Sequence, residues 1–291
     1  MMLALTLTLG LFAADPANLP FEYPLFLAAG ADGAVYVADQ DVPAIFRIGK
    51  DGKAAVVHKA ARNFRTPLNR PRGLAVGKNG DVYVCDPSTM DVYRIGADGK
   101  ATGLTGKPIK ELNGKPGTRG AFVQPEGVAV TDVGTVYVAD LRLNAVFKVG
   151  ATGAAPEKVA EVAAPHGMVV DRDGSLVVVS HGESHLVRID PKTGKSSRIL
   201  QGLLPMKQYT PFPLSVAVLP DGAYAVSDNY NRVVWRVMSD GTAEVLVPAE
   251  QLRKCTGLAV ADGFLFIADP AAKAVYRFTS GKPLVPVAKA N

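Results

Sequence analysis

Cysteine is nearly absent from this sequence. There are two, Cys85 and Cys255, too few for a disulfide scaffold and without the paired spacing of a structural zinc site. Cys85 stands where sister segments carry Ala38, Ala139 and Ala268, so it reads as a small buried filler. Helical periodicity is missing throughout, which argues against a bundle or a parallel α/β sheet. No apolar run is long enough to span a bilayer as a helix. The chain also lacks a glycine-rich phosphate loop and a nucleophile elbow, so nucleotide chemistry and serine hydrolysis have no sequence support. Charged residues make up only 20% of the chain and apolar residues 48%, a globular balance rather than a disordered one.

Glycine and proline are plentiful instead, at 29 and 21 residues, as expected for a chain with many turns. The formal charge is +5, with a pI of about 9.1, mildly favourable to an anionic partner. The first fourteen residues are uncharged and mostly apolar and end in Phe-Ala-Ala14 before Asp15. They have the length of a signal-peptide core but lack a preceding basic residue. The expectation is a signal peptide over 1–14, a single domain over 15–291, and a secreted or periplasmic protein.

One segment recurs six times. Asp32-Gly-Ala-Val-Tyr-Val-Ala-Asp39, Asn79-Gly-Asp-Val-Tyr-Val-Cys-Asp86 and Val133-Gly-Thr-Val-Tyr-Val-Ala-Asp140 are near copies. Looser copies end at Ser180, Asp228 and Asp269, and the six end points are 40 to 54 residues apart. A short apolar strand precedes each copy (Gly127-Val-Ala-Val130, for example), and an alternating strand such as Val92-Tyr-Arg-Ile95 follows. Val-, Ile- and Tyr-rich strands separated by Asp-Gly turns are antiparallel hairpins. Four strands per repeat, repeated six times, predict an all-β, six-bladed β-propeller. Blade 1 is expected to open with its own inner strand near Leu25–Ala29, without a strand swapped from the far end of the chain.

The segment Val226-Ser-Asp-Asn-Tyr-Asn-Arg-Val-Val-Trp-Arg-Val237 resembles the Asp-x-x-Asn-x-Arg/Val motif of NHL-repeat propellers, and Asp140-Leu-Arg-Leu-Asn144 is a looser copy. The resemblance covers roughly residues 20–288. It implies the fold and leaves function open, because similar propellers include scaffolds, RNA binders, lactonases and lyases.

Two sets of residues should meet at one mouth of the central channel. Those preceding the inner strands are Leu25, Arg72, Glu126, His166, Leu214 and Thr256; those ending the second strands are Asp39, Asp86, Asp140, Ser180, Asp228 and Asp269. A repeated Asp is expected to accept backbone N–H bonds from its own loop. The first set varies, and variation points to a site: Arg72, Glu126, His166 and Thr256 are the candidate ligand-binding residues. His166, His181 and His185 are candidate acid–base residues. Glu126 and His166 are possible ligands for one divalent metal ion in the channel. The loops 59–72 and 104–122 are rich in Lys and Arg and would form a basic rim suited to an anionic small molecule or protein segment. They have little aromatic interleaving, so nucleic acid is not an expected partner.

Similarity to gluconolactonase-like propellers would imply a channel metal held by Glu, Asn and Asp; here only Glu126 corresponds, beside His166 and Arg72. Similarity to streptogramin-lyase-like propellers would imply His and Glu around magnesium, echoed by Glu126, His166, Glu183 and His185. The resulting expectation is a monomeric ligand-binding or protein-interaction module with a charged mouth. A metal-dependent lactonase or lyase is the alternative.

Overall fold

A computed structural model describes residues 21–60, 67–112, 115–150, 152–200 and 209–289, with residues 107–119 and 288–289 described by backbone alone. The segment read as a signal peptide lies outside the described residues. Six four-stranded antiparallel sheets each run their strands in chain order. The first strand of every sheet touches the first strand of the next, and the sixth touches the first. The sheets therefore close around an axis as six blades, with the first strands innermost. These inner strands are Pro24–Ala29, Leu74–Val76, Pro125–Val130, Pro165–Val170, Pro213–Val218 and Leu258–Ala261. Among the described residues no helix is long and apolar enough to cross a membrane, and the helical structure is one 3-10 turn, Ala249–Gln251.

The second strand of each blade explains why the recurrent segment is so apolar. Val35–Asp39, Val82–Asp86, Val136–Asp140, Leu176–Ser180 and Tyr224–Asp228 are buried at every position. A strand covered on both faces by neighbouring blades needs apolar residues in succession rather than in alternation. The core is accordingly six separate layers, one at each junction between blades. Cys85 and Cys255 are free thiols buried within these layers.

The ring closes without strand exchange, since blade 1 opens with Pro24–Ala29 and blade 6 is contiguous to Val285–Lys289. Its seam is apolar packing of Phe21, Val37 and Phe46 against Ala259, Ala268 and Val275. Lys254 adds a 2.6 Å hydrogen bond from its Nζ to the Tyr23 hydroxyl, and Lys273 pairs with Glu22 at 2.6 Å.

One element goes beyond the expected architecture. Residues 104–122, read from the sequence as a long basic loop, contain a separate hairpin of Lys107–Leu112 and Lys115–Arg119. Asn113-Gly114 between those strands is the dipeptide most typical of tight hairpins, a signal the charge pattern obscured.

Inner strands come closest where the sequence has glycine. A Cβ added to Gly127 would lie 2.1 Å from the His166 carbonyl oxygen, and one added to Gly73 would lie 2.4 Å from that of Glu126. No other residue type fits so near a neighbouring backbone. From this ring of close approach, a cavity of about 580 Å³ runs along the inner strands to the opposite face, where Thr131–Val133 and Asp171–Arg172 border it.

The aspartates ending the second strands hold the other face together. Asp140 is fully buried, and its carboxylate accepts backbone N–H bonds from Val123 (2.7 Å), Gln124 (3.0 Å), Arg142 (3.0 Å) and Leu143 (3.0 Å). Asp39, Asp86, Asp228 and Asp269 make the same two-sided bonds, to the chain arriving at the inner strand and to the loop just past the second strand. Asp140→Ala would leave four N–H groups without an acceptor. It is expected to lower unfolding free energy in urea by about 3 kcal/mol or more, while Asp190→Ala, on an exposed turn, leaves it nearly unchanged.

Candidate functional site

Blade 4 breaks the aspartate pattern, and the chemistry gathers there. Ser180 cannot act as a carboxylate acceptor, and its hydroxyl donates to the Ala163 carbonyl at 2.9 Å. The arriving loop is held from blade 3 instead, by an Ala164 N–H bond to Asn144 Oδ1 at 2.8 Å, and Ala164 adopts a φ of 43°. The turn past the second strand then begins with His181, its N–H bonded to the Ala164 carbonyl at 3.1 Å.

At the head of the inner strands of blades 2 to 4, Arg72, Glu126 and His166 come together with His181. Glu126 is 1% exposed and His166 7%. Arg72 Nε lies 3.8 Å from Glu126 Oε2, an ion pair without a hydrogen bond. Gln124 donates to the other oxygen, Oε1, at 2.8 Å, and its own carbonyl oxygen accepts from Arg142 Nε at 3.3 Å. The rings of His166 and His181 meet edge to face at 5.6 Å. Arg72 Nε, Glu126 Oε2, His166 Nδ1 and His181 Nδ1 are all buried without a hydrogen-bond partner among the described residues. A folded chain leaves few such atoms, because each costs the hydration it gave up. Four in one cluster is the chemical signature of this face.

Burial sets the protonation of the cluster. It pushes the Glu126 carboxyl up, against the opposing pull of Arg72 and Gln124. The His166 imidazole falls to about 3, first through burial and then through His181 and Arg72, and burial also lowers His181. The imidazoles are thus neutral near pH 7.

Two residues that sequence reasoning missed extend the cluster into blade 5. Phe212, two residues before Leu214, places its ring 3.9 Å from that of His181 and 4.4 Å from that of Tyr230, stacked at 27°. Asn229 follows Asp228 as His181 follows Ser180, and its Oδ1 is likewise buried without a partner. The signal was positional: Phe212 occupies the repeat position of Gln124, and Asn229 that of His181.

The remaining candidates lie apart from this cluster. His185 begins the third strand of blade 4, one strand further from the axis. Its ring turns to Glu183, with Nδ1 3.2 Å from the carbonyl oxygen and Nε2 3.3 Å from the carboxylate, in a cleft between blades 3 and 4 that includes Arg198. The expected grouping of three histidines is therefore a pair plus one. Thr256 is 1% exposed and its hydroxyl donates to the Ala268 carbonyl at 3.3 Å. Its own carbonyl accepts from Ser227 Oγ at 2.6 Å, so it stitches blade 5 to blade 6. None of Arg72, Glu126, His166 or Thr256 lines the 580 Å³ channel cavity; the cluster sits beyond the glycine ring. Much of the expected basic rim, from Arg62 and Arg65 to the side chains of Lys107, Lys110, Lys115 and Arg119, lies outside the described residues.

The donor set does not fit a divalent cation. Glu126 stands beside a guanidinium and His166 and His181 meet edge to face, while Glu183 and His185 are drawn away in the side cleft. Among the described residues no three His, Cys, Asp or Glu side chains are placed to hold a metal ion.

Because His166 has a folded pKa near 3 against 6.5 unfolded, the unfolded chain takes up the proton first as pH falls. Its share of stability is complete above pH 6.5 and is lost progressively below it. Unfolding free energy in urea is expected to drop between pH 7 and pH 5, with His166 contributing about 2 kcal/mol. His166→Gln, which has no titrating ring, should flatten that slope.

Comparison with known proteins agrees with this geometry at the level of fold. The NHL repeat family matches residues 68–90. No curated protein sequence is significantly similar to the chain. Among solved structures, virginiamycin B lyase from Staphylococcus aureus superposes with a TM-score of 0.64 at 15% identity, covering 91% of this chain and 84% of that one. A gluconolactonase from Xanthomonas campestris gives 0.67 at 18% identity over 91% and 87%. A nidogen/laminin complex gives 0.61 at 15% over 81% and 86%. With its six contiguous blades, the chain is a six-bladed β-propeller that carries a match to the NHL repeat in blade 2, and its fold is similar to those of the lyase, the gluconolactonase and the nidogen/laminin complex.

Proposed function

We propose that this propeller is an exported ligand-binding module whose site is the Arg72–Glu126–His166–His181 cluster. The carrying observation is that all four side chains present a buried polar atom without a hydrogen-bond partner among the described residues. A ligand that met those atoms would recover the hydration they gave up on folding, a gain that water at an exposed surface does not offer. Preorganisation supports the same reading. Arg72 and Glu126 are fixed by backbone contacts at the ring of close approach, where Gly73 N–H donates to the Glu126 carbonyl at 3.0 Å and Arg72 N–H to that of Cys85 at 2.8 Å. The uncharged apolar run at residues 3–14 supports export.

A metal-assisted lactonase or lyase is the second reading, favoured by the fold of two neighbours. Binding without such chemistry is preferred because among the described residues no three His, Cys, Asp or Glu side chains are placed to hold a metal ion.

A thermal-shift screen against small polar metabolites should yield ligands that raise the unfolding temperature of the wild type but not of Arg72→Ala or Glu126→Gln. Hits that survive both substitutions would move the site elsewhere. Elemental analysis separates the two readings: the binding reading expects no stoichiometric divalent metal. A full equivalent, lost in the Glu126→Ala, His166→Ala double variant, would overturn it. Export is checked by fractionating cells that express the full chain and sequencing the N-terminus of the product, which should begin near Asp15.

A further inference from the structure

The cluster continues outward as a row of rings. His166 and Phe212 are 6.3 Å apart between centroids, with His181 against both, and Tyr230 lies one stacking step further out on Phe212. Tyr230 and Tyr209 are each more than half exposed, at 53% and 52%. They line a cleft of about 380 Å³ floored by Val233, Val245 and Pro248. Asn231 fixes this geometry, accepting from Tyr209 N–H at 3.0 Å and donating to the Tyr209 carbonyl at 3.0 Å. Its side chain is tied in turn to Asp228 at 2.7 Å, the same carboxylate that accepts from Trp235 Nε1 at 3.2 Å.

The unpartnered atoms themselves choose between ligand classes. Arg72 Nε is a donor. Glu126 Oε2 and Asn229 Oδ1 are acceptors, and each free imidazole nitrogen is either, according to tautomer. A carboxylate or phosphate offers acceptors almost alone, and near Arg72 it would also face the Glu126 carboxyl. A hydroxyl donates and accepts at once, so vicinal hydroxyls can serve the guanidinium and the carboxylate together. Glu126 Oε2 already faces Arg72 Nε at 3.8 Å, which weakens the drive for an anion. The flat apolar face of a sugar ring then matches the exposed tyrosine, whose low conformational entropy and amphipathic ring suit it to such contacts.

From this we infer that the face binds an uncharged saccharide of two or more units, one ring hydrogen-bonded over Arg72, Glu126 and His166 and the next stacked on Tyr230. The inference rests on the binding reading above and narrows it.

The test is calorimetric titration of the mature protein with maltose, cellobiose, lactose and chitobiose, with glucuronate and benzoate as anionic counterparts. Emission of Trp235, the single tryptophan, serves as a second readout on blade 5. Saturable binding of at least one neutral disaccharide is expected. Tyr230→Ala should weaken it roughly fivefold to tenfold, and Glu126→Gln should weaken it further; Tyr230→Phe, which keeps the ring, should retain most of the affinity. Binding of glucuronate or benzoate that depends on Arg72, with no disaccharide bound, would overturn the saccharide class and leave the binding site standing. Disaccharide binding indifferent to Tyr230→Ala and Glu126→Gln would overturn the placement. If no probe binds and the thermal-shift screen finds no Arg72-dependent ligand, both readings fall together.

Discussion

A loop that must enter a propeller beside the axis has little sheet to hold it, and its backbone donors face a buried region. Here the aspartate that ends the second strand resolves the difficulty in five blades. One buried carboxylate accepts from the chain arriving at the inner strand and from the turn leaving the second. Several N–H groups thereby share one oxygen pair in an apolar setting, where each would be costly to leave unpaired. The position of every side chain on that face follows from this arrangement, including those of the candidate site.

The site arises where the arrangement changes. With serine at position 180, blade 4 has no carboxylate at its head, and the arriving loop leans on Asn144 of the neighbouring blade. The face is left with imidazoles in the place of a local anion. Burial keeps both His166 and His181 neutral near pH 7. The electrostatic character of the site therefore comes from the residue omitted from the repeat as much as from those added. Similar omissions would be the first place to look in any repeat fold where one unit departs from the rest.

The repeat made the fold readable because burial between blades demands the same apolar run each time, and Asp-Gly turns end it in the same way. The opening strand of blade 1 and the structural role of the aspartates followed from the same regularity. Arg72, Glu126 and His166 were legible as deviations at a single repeat position. His185 was misgrouped because sequence distance from His181 is short, whereas one turn and a change of strand carry the ring into a different cleft. Thr256 stood at the right position but its hydroxyl was absorbed by Ala268. Phe212, Asn229 and Tyr230 were missed because aromatic and amide side chains on a loop carry no charge pattern, and only the fold brings them beside the histidines. The hairpin of Lys107–Leu112 and Lys115–Arg119 was hidden by basic residues that drew attention to charge instead of turn chemistry.

The seam between blades 6 and 1 has a consequence for how this ring comes apart. Propellers that exchange a strand lock their ends with a sheet ladder, but among the described residues the first and last blades share no sheet: they meet through the Phe21 and Phe46 packing, the close approach of Gly257 to the backbone of Leu25 and Phe26, and the pairs Lys254–Tyr23, Lys273–Glu22 and Lys50–Asp262. Every other junction is also spanned by a covalent connection, and this one is not. The molecule is thus a closed chain of six links with a single clasp. A force or a fluctuation that parts the clasp leaves each blade intact and opens the circle into an arc.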